Sequence, residues 1–241
     1  MSAYHVPHHF YADDSQLFDT FKSSEHSQLQ CKSNLEACLA STRSWMSANK
    51  LKLNDEKTET MVISTVSRQK KFVITDISIG QSSIPFSPLL KNLGVLLDSN
   101  RSMDKQINRL VKTCHYYLKN TGSIHKVLTK DATATLVQTL ILSRLDYCNS
   151  LLFGISSSKL HRPLKIQNKA ARVITLTSPR CHMSPILNSL HWLRIRERID
   201  FKILCLTYQS FYNSGPSYLQ DTLTHYSPAL MTTTVTCCPK L

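Results

Sequence analysis

His9-Phe10-Tyr11-Ala12-Asp13-Asp14-Ser15-Gln16-Leu17 places two adjacent carboxylates between two short arms rich in apolar and aromatic residues. Such arms around a polar tip predict a β-hairpin, with the acidic pair at its turn. An acidic turn of this kind can hold Mg²⁺, which proteins usually bind through one or two carboxylates together with substrate phosphates. Asp is also common in turns because its side chain bonds to nearby backbone groups, so an ordinary acidic hairpin is the alternative.

The rest of the chain predicts an α+β front followed by a helical rear. Apolar residues recur at helical spacing from Leu35 to Met46, which predicts an amphipathic helix that ends near Asn49, buries Trp45 and packs across the sheet of the acidic turn. Further strands are predicted at 59–66, at 72–79 with a return through Ile84, and at 93–97. We therefore expect antiparallel strands with one packed helix in residues 1–101, helices in 102–223, and a disordered tail in 224–241.

Charge divides the chain in the same way. Residues 1–60 carry six Lys and Arg against eight Asp and Glu, whereas residues 61–241 carry 23 against eight, and the net charge is +13. A basic rear is typical of proteins that bind nucleic-acid phosphates. The alternative is a basic surface that serves only solubility.

Composition favours a folded protein inside the cell. Hydrophobic residues make up 41% of the 241 residues and there are only five glycines, which argues against disorder. The eight cysteines form no Cys-x-x-Cys pair, so buried thiols are more plausible than a zinc site or a disulfide framework. No apolar run is long enough for a membrane span and no signal peptide is visible at the N-terminus. We expect a protein of the nucleus or cytoplasm that is neither secreted nor membrane-bound.

Seven blocks of sequence extend together over roughly residues 8 to 223. The blocks are His9–Leu17, Trp45–Leu51, Leu53–Glu59, Leu93–Asp98, Ser143–Asn149, Gln167–Val173 and Leu190–Leu193. In these residues and in their order, the chain resembles the C-terminal part of a reverse transcriptase from non-LTR (LINE-type) retrotransposons, of the group that includes chicken-repeat and jockey-like elements.

The resemblance implies catalytic and metal-binding roles for the acidic turn. Asp13 and Asp14 match the carboxylates of the polymerase palm, where the first coordinates both Mg²⁺ ions and the second supplies supporting charge. Tyr11 would pack against this turn and approach the primer end. The implied chemistry is two-metal nucleotidyl transfer, in which one ion activates the attacking oxygen and the other stabilises the leaving one. The implied partners are an RNA template and a DNA primer, or an RNA–DNA hybrid.

Two further positions take roles from the same resemblance. Lys57 matches a candidate general acid that would protonate the leaving pyrophosphate, although a charged Asp55-Glu56-Lys57 run is also typical of a solvated loop. Gly94 lies in a segment similar to the primer-grip strand, where a glycine would allow close approach of the primer backbone. An ordinary buried strand would use the same residues.

Basic side chains in the rear match the thumb of the family and the segment after it. Lys105, Arg109 and Lys112 share one helical face, which suits a helix that follows a duplex backbone. A second cluster contains Lys159, Arg162, Lys165, Lys169 and Arg172, of which we take the last three as candidate nucleic-acid contacts. A solubilising face is the alternative for both. The signature Ser143–Asn149 has no chemical role that the sequence explains, and Arg144 with Asp146 is a candidate structural pair.

Polymerase activity also needs an earlier palm aspartate, the fingers and the nucleotide-binding region, all upstream of the acidic turn in the family. Only ten residues precede Tyr11 here. We therefore expect the remnant of an RNA-directed DNA polymerase that is inactive alone. The alternatives are a non-enzymatic basic nucleic-acid-binding module and a translated pseudogene. Oligomeric state does not follow from the sequence.

Overall fold

The computed structural model describes residues 6–212 and 214–224 and has a mixed fold of helices and small antiparallel sheets. The strand-containing front begins with two strands and a long helix, continues through a short helix, and ends with four strands. These elements are β1 (His8–Tyr11), β2 (Asp14–Leu17), α1 (Glu25–Ala48), α2 (Val66–Gln69), β3 (Asp76–Ile79), β4 (Ser82–Pro85), β5 (Leu89–Asn92) and β6 (Val95–Asp98). The α+β class predicted from the sequence is confirmed at this level.

Beyond β6 the described chain is helical, as predicted. Two helices are long and amphipathic, and a π-helical turn, Gln138–Leu142, joins two of the shorter ones. The helices are α3 (Asp104–Ile124), α4 (Lys130–Val137), α5 (Ser143–Asp146), α6 (Ser157–Thr175), α7 (Met183–Ser189), α8 (Ile195–Phe211) and α9 (Ser217–Gln220). Among the residues described, no helix is long and apolar enough to cross a membrane.

The chain forms two compact units. Unit 1 comprises Met1–Asn120 with Ile155–Ile166, and unit 2 comprises Thr121–Gly154 with Gln167–Leu241, in each case as far as the described residues extend. The boundary predicted at residue 101 divides the chain by expected function and is not a division into compact units. It remains a prediction. The predicted tail, 224–241, lies outside the described residues except for Thr224.

The strands of unit 1 form three separate two-stranded sheets, each a single hairpin. Helix α1 packs against β3, whereas the sequence predicts that it lies across the sheet of the acidic turn. The hairpin around Gly80 is confirmed, with Ile77 opposite Ile84. No strand covers 59–66: Thr60 makes one isolated bridge to Phe86 and Val66 begins a helix. The strand predicted from the apolar run Met61–Ile63 is therefore wrong.

Helix α1 ends where predicted but begins ten residues earlier, and one member of its predicted buried face is exposed. Trp45 is 62% exposed, whereas Gln28, Cys31 and Cys38 are buried. Gln28 is accommodated because its amide donates to the carbonyls of Ser23 and Lys71 and accepts from the amide of Val73. The prediction that Trp45 packs in the core is therefore wrong. The left-handed residue at the helix end is Lys50 (φ 59°), not Asn49.

Candidate nucleic-acid interface

The acidic pair lies at a β-turn between paired strands, as predicted. Strands β1 and β2 are antiparallel, with Tyr11 opposite Asp14, so that Ala12 and Asp13 form a two-residue connection. Ala12 has a φ of 53°, the left-handed conformation that short hairpin turns favour. Tyr11 is exposed rather than packed against the turn, which corrects that part of its predicted role.

Both carboxylates are exposed and neither forms an ion pair with another described residue. Within residues 6–212 and 214–224, no group of three or more His, Cys, Asp or Glu side chains could hold a metal ion. Two-metal chemistry needs ligands for two hard cations, and the turn supplies only Asp13 and Asp14. The described residues therefore do not fit the complete Mg²⁺ site that the resemblance implies.

Gly94 lies at the tip of a second hairpin, not inside a strand. Strands β5 and β6 pair in antiparallel register with Asn92 opposite Val95, which leaves Leu93 and Gly94 as the connection. Both have positive φ, 43° and 83°. Leu93 tolerates this conformation at some cost, whereas glycine adopts it freely. The predicted strand 93–97 is thus corrected to a turn followed by a strand from Val95.

The acidic hairpin and the glycine hairpin are joined by a hydrogen bond. Gln16 Nε2 donates to Asn92 Oδ1 over 2.7 Å. Gln16 lies two residues after Asp14, and Asn92 lies two residues before Gly94. The candidate metal-binding turn and the candidate primer-binding turn therefore belong to neighbouring hairpins within unit 1.

Helix α3 is attached to the glycine hairpin by several hydrogen bonds. Arg109 Nη1 donates to the carbonyl oxygen of Gly94 over 3.2 Å, and the Leu96 amide donates to Gln106 Oε1 over 3.0 Å. At the helix start, the carboxylate of Asp98 accepts from the amides of Ser102 (2.7 Å) and Met103 (2.8 Å). The hairpin tip and the first two turns of α3 therefore form one connected structure.

Asp98 is held in its charged form at this junction. Partial burial opposes ionisation and by itself would raise the pKa of the carboxyl group. The hydrogen bonds from Ser102 and Met103 outweigh that effect, so the pKa of Asp98 lies below its usual value.

The exposed face of α3 is basic, as predicted. Lys105, Arg109 and Lys112 are exposed, while Ile107, Val111, Cys114 and Leu118 are buried on the opposite side. Tyr116 and Lys119 continue the exposed stripe at helical spacing; Tyr116 was missed from the sequence, although its position at i+4 from Lys112 could have indicated it. The one acidic residue of the helix, Asp104, is paired with Lys159 at 2.9 Å. That contact keeps the pKa of Asp104 below its usual value.

Lys57 is exposed at the end of a 3₁₀ turn, Asp55–Lys57. Asn54 Oδ1 accepts from the Lys57 amide, and Asp55 pairs with Arg43 at 2.8 Å, which fixes the turn against α1. No hydrogen bond or ion pair within the described chain links Lys57 to Asp13 or Asp14. The structure therefore does not bring the candidate general acid and the carboxylates into contact.

Only part of the second basic cluster is available to a ligand. Lys165 and Lys169 are exposed one turn apart on α6. Lys159 and Arg162 instead bind residues at the start of α3: Lys159 donates to the carbonyl of Ser102 and pairs with Asp104, and Arg162 donates to Asn108.

Arg172 has a structural role that the sequence did not indicate. Its Nη2 donates to the carbonyl oxygens of Pro179 (3.1 Å) and Cys181 (3.4 Å), so the guanidinium fixes the loop that follows α6. The prediction that Arg172 is a nucleic-acid contact is corrected, because its guanidinium is already bound to these two carbonyl oxygens. Beside it is an open groove of about 360 Å³ in unit 2, lined by Gly122, His125, Arg172, Val173, Leu176, Thr177 and Pro179.

Polar contacts in unit 2 anchor the last three blocks of the resemblance, and one contact joins two of them. Asp146 accepts two hydrogen bonds from Arg198, one of them from Nε at 2.7 Å, so α5 and α8 are linked. The structural pair between Arg144 and Asp146 remains a prediction. Gln167, which is fully buried, donates to the carbonyl oxygen of Leu193 over 2.6 Å. Trp192 packs beside it against Ala171 and Leu187.

A scan against protein-family models and searches of curated proteins and of solved structures find no match to this chain.

Proposed function

We propose that this chain is the C-terminal part of a non-LTR retrotransposon reverse transcriptase, and that by itself it binds a primer–template duplex without extending it. The observation that supports this most is the connection within unit 1 between the acidic hairpin, the glycine hairpin and the basic helix. This connection consists of two hydrogen bonds, from Gln16 to Asn92 and from Arg109 to the carbonyl of Gly94. In this proposal residues 1–101 are the remainder of the palm and 102–223 are the thumb and the segment after it.

The basic face of α3 is the surface proposed to bind the duplex. Lys105, Arg109 and Lys112 cover two helical turns, about 10 Å along the axis at 1.5 Å per residue. Contacts between cationic side chains and phosphates release condensed counterions, which supplies sequence-independent affinity. Because Arg109 also binds the Gly94 carbonyl, a duplex on this face would have one strand beside the glycine hairpin.

Binding without extension follows from the ligands that the turn offers. Asp13 and Asp14 are exposed, and the described residues provide no third carboxylate near them. In the complete enzyme, bound Mg²⁺ would neutralise developing phosphate charge, and the missing ligand would come from the earlier palm aspartate. Here the two carboxylates would face the primer end without a complete metal site.

The test is the salt dependence of duplex binding by the full chain. Fluorescence anisotropy with a labelled RNA–DNA hybrid should give an affinity that falls steeply with salt, by roughly 0.9 log units per log unit of salt for each phosphate neutralised. Replacing Lys105, Arg109 and Lys112 by Ser should flatten that slope by about two to three units if each side chain contacts a phosphate.

A matched control removes the same charge from another exposed part of unit 1. Lys52, Arg68 and Lys70 are exposed and lie outside α3, so their replacement by Ser lowers the net charge equally. The control should leave the slope nearly unchanged. Equal slopes in the two triple variants, or no binding of the wild-type chain at low salt, would reject α3 as the duplex surface.

A second candidate, a nucleic-acid-binding module with no relation to a polymerase site, is favoured by one observation. The stripe of Lys105, Arg109, Lys112 and Lys119 surrounds the exposed Tyr116, and basic side chains with an aromatic ring suit single strands as well as duplex. The two candidates differ in the ligand they prefer. A polymerase-derived surface should bind a recessed primer end better than a single strand of the same length, whereas an independent module of this type should not.

A further inference from the structure

Helix α8 of unit 2 carries a continuous apolar stripe on its exposed side. Successive members lie three or four residues apart, except that Phe211 ends the helix and Tyr212 follows it directly. Each exposes 48% or more of its surface; they are Phe201, Leu204, Tyr208, Phe211 and Tyr212. At 3.6 residues per turn they fall within about a third of the helix circumference. The opposite side of the helix, with Ile195, Ile199 and Ser210, is buried in unit 2.

The aromatic rings of the stripe are clustered. Tyr208 and Tyr212 have ring centroids 4.5 Å apart, and Phe211 and Tyr212 are 5.5 Å apart. Soluble monomers rarely expose a contiguous apolar patch of several large side chains, and such patches mark interaction surfaces. Tyr and Phe are also the residue types enriched at the centres of protein interfaces.

Charge indicates which partner the stripe suits. The chain has a net charge of +13, so two copies repel each other over most of their surface, but Ile203 to Gln220 contains no charged side chain. The Lys and Arg residues of α8 lie outside the stripe; Arg198, for example, pairs with Asp146 on another side. Two copies can therefore bring these helices together without opposing cations. A single strand of nucleic acid would lack the basic side chains that normally accompany stacking aromatics.

The area is sufficient for a weak dimer. A large aromatic side chain buries about 150–250 Å² when fully covered, so a half-exposed one still offers on the order of 100 Å². Four such aromatic side chains and Leu204 offer roughly 500 Å² per copy, and the two copies together about 1,000 Å², near the lower limit for a specific interface.

We propose that the exposed face of α8 is a self-association surface, on which two copies of the chain pack their α8 helices against each other in antiparallel orientation. The antiparallel arrangement places the uncharged C-terminal half of each helix beside the charged first turns of the other, and so avoids contact between like charges. The self-association does not depend on the proposed nucleic-acid function.

Sedimentation velocity of the nuclease-treated full chain tests this proposal. We expect a monomer–dimer equilibrium with a Kd on the order of tens of micromolar, as suits an interface near the lower size limit. Dimerisation should strengthen as salt rises, because salt screens the repulsion between the basic copies. Association that weakens with salt, or that is seen only when the nuclease treatment is omitted, would mean bridging by nucleic acid and would overturn the proposal.

Substitutions test the surface itself. Leu204→Gln with Tyr208→Gln should raise the Kd at least tenfold. The control, Val127→Gln with Phe153→Gln, removes two apolar side chains that are equally exposed elsewhere in unit 2 and should leave the Kd within twofold. All four positions are exposed, so circular dichroism should report a folded chain in both variants. A monomer at every concentration up to several hundred micromolar, or equal effects of the two variants, would contradict the assignment.

Discussion

At the scale of single residues, Asp98 is the group that connects the glycine hairpin to the basic helix. It ends β6 and accepts hydrogen bonds from the amides of Ser102 and Met103 just before α3 begins. Because amides donate more strongly to a carboxylate than to a neutral acid, the contact favours the ionised form. The carboxylate of Asp98 thus contributes, with the bonds of Gln106 and Arg109, to the attachment of α3 to the hairpin.

The lowered pKa of Asp98 predicts how stability changes with pH. A carboxyl group whose folded-state pKa lies below its unfolded value of about 3.9 contributes stability that is fully present above that value and is lost as pH falls through the folded-state pKa. Asp98→Asn should therefore lower the free energy of unfolding by about 1 kcal/mol at pH 7.

Urea denaturation of both proteins between pH 7 and pH 3 checks this. The difference between wild type and Asp98→Asn should stay constant down to about pH 5 and shrink below pH 4. A difference that is the same at pH 7 and pH 3 would show that the charge of Asp98 does not stabilise the junction.

At the scale of elements, α1 shows that a helix can bury a polar residue and expose a large aromatic one. Gln28 is fully buried because three hydrogen bonds to backbone groups satisfy its amide, whereas Trp45 lies largely in solvent. A buried polar group with all its partners costs little, but a buried backbone group that loses its partner costs about 1–3 kcal/mol.

This contrast predicts opposite outcomes for two substitutions in α1. Gln28→Leu should destabilise the chain by about 2–3 kcal/mol, since it leaves the Lys71 carbonyl and the Val73 amide without that partner. Trp45→Ser should change stability by less than about 0.5 kcal/mol. Chemical denaturation of each variant measures both effects. A larger loss for Trp45→Ser than for Gln28→Leu would mean that the buried face of α1 is assigned wrongly.

The sequence predicts those elements that depend on residues close together in the chain. The hairpin at Asp13 and the one at Gly80 follow from turn residues between apolar arms, and the change to helices after residue 102 follows from periodicity. Periodicity did not reveal that Gln28 is buried, because hydrogen bonds with residues more than 40 positions away satisfy its side chain. Likewise Asp146 and Arg198 are 52 positions apart, and no local pattern links them.

At the scale of the whole molecule, the proposed function separates binding from chemistry. The basic face of α3 has all three predicted cations, since Lys105, Arg109 and Lys112 are exposed together on one helix. The acidic turn offers two exposed carboxylates and no further ligand among the described residues. Nucleic-acid affinity and polymerase activity should therefore be separable in this chain.

Primer extension tests that separation. The purified chain should add no nucleotide to a primer on an RNA template with Mg²⁺ or Mn²⁺, because two ions need more ligands than Asp13 and Asp14 provide. Its background should equal that of Asp13→Asn, which serves as the matched control. Template-dependent incorporation that disappears in Asp13→Asn would contradict the prediction.

The proposed function is tested most directly by locating the primer end on the chain. A primer–template hybrid with a photoreactive base at the primer's 3′ end would be crosslinked to the full protein and mapped by mass spectrometry. We expect crosslinks in the two neighbouring hairpins, within His8–Leu17 and Leu89–Asp98. Crosslinks confined to unit 2, with none in either hairpin, would contradict the proposed function.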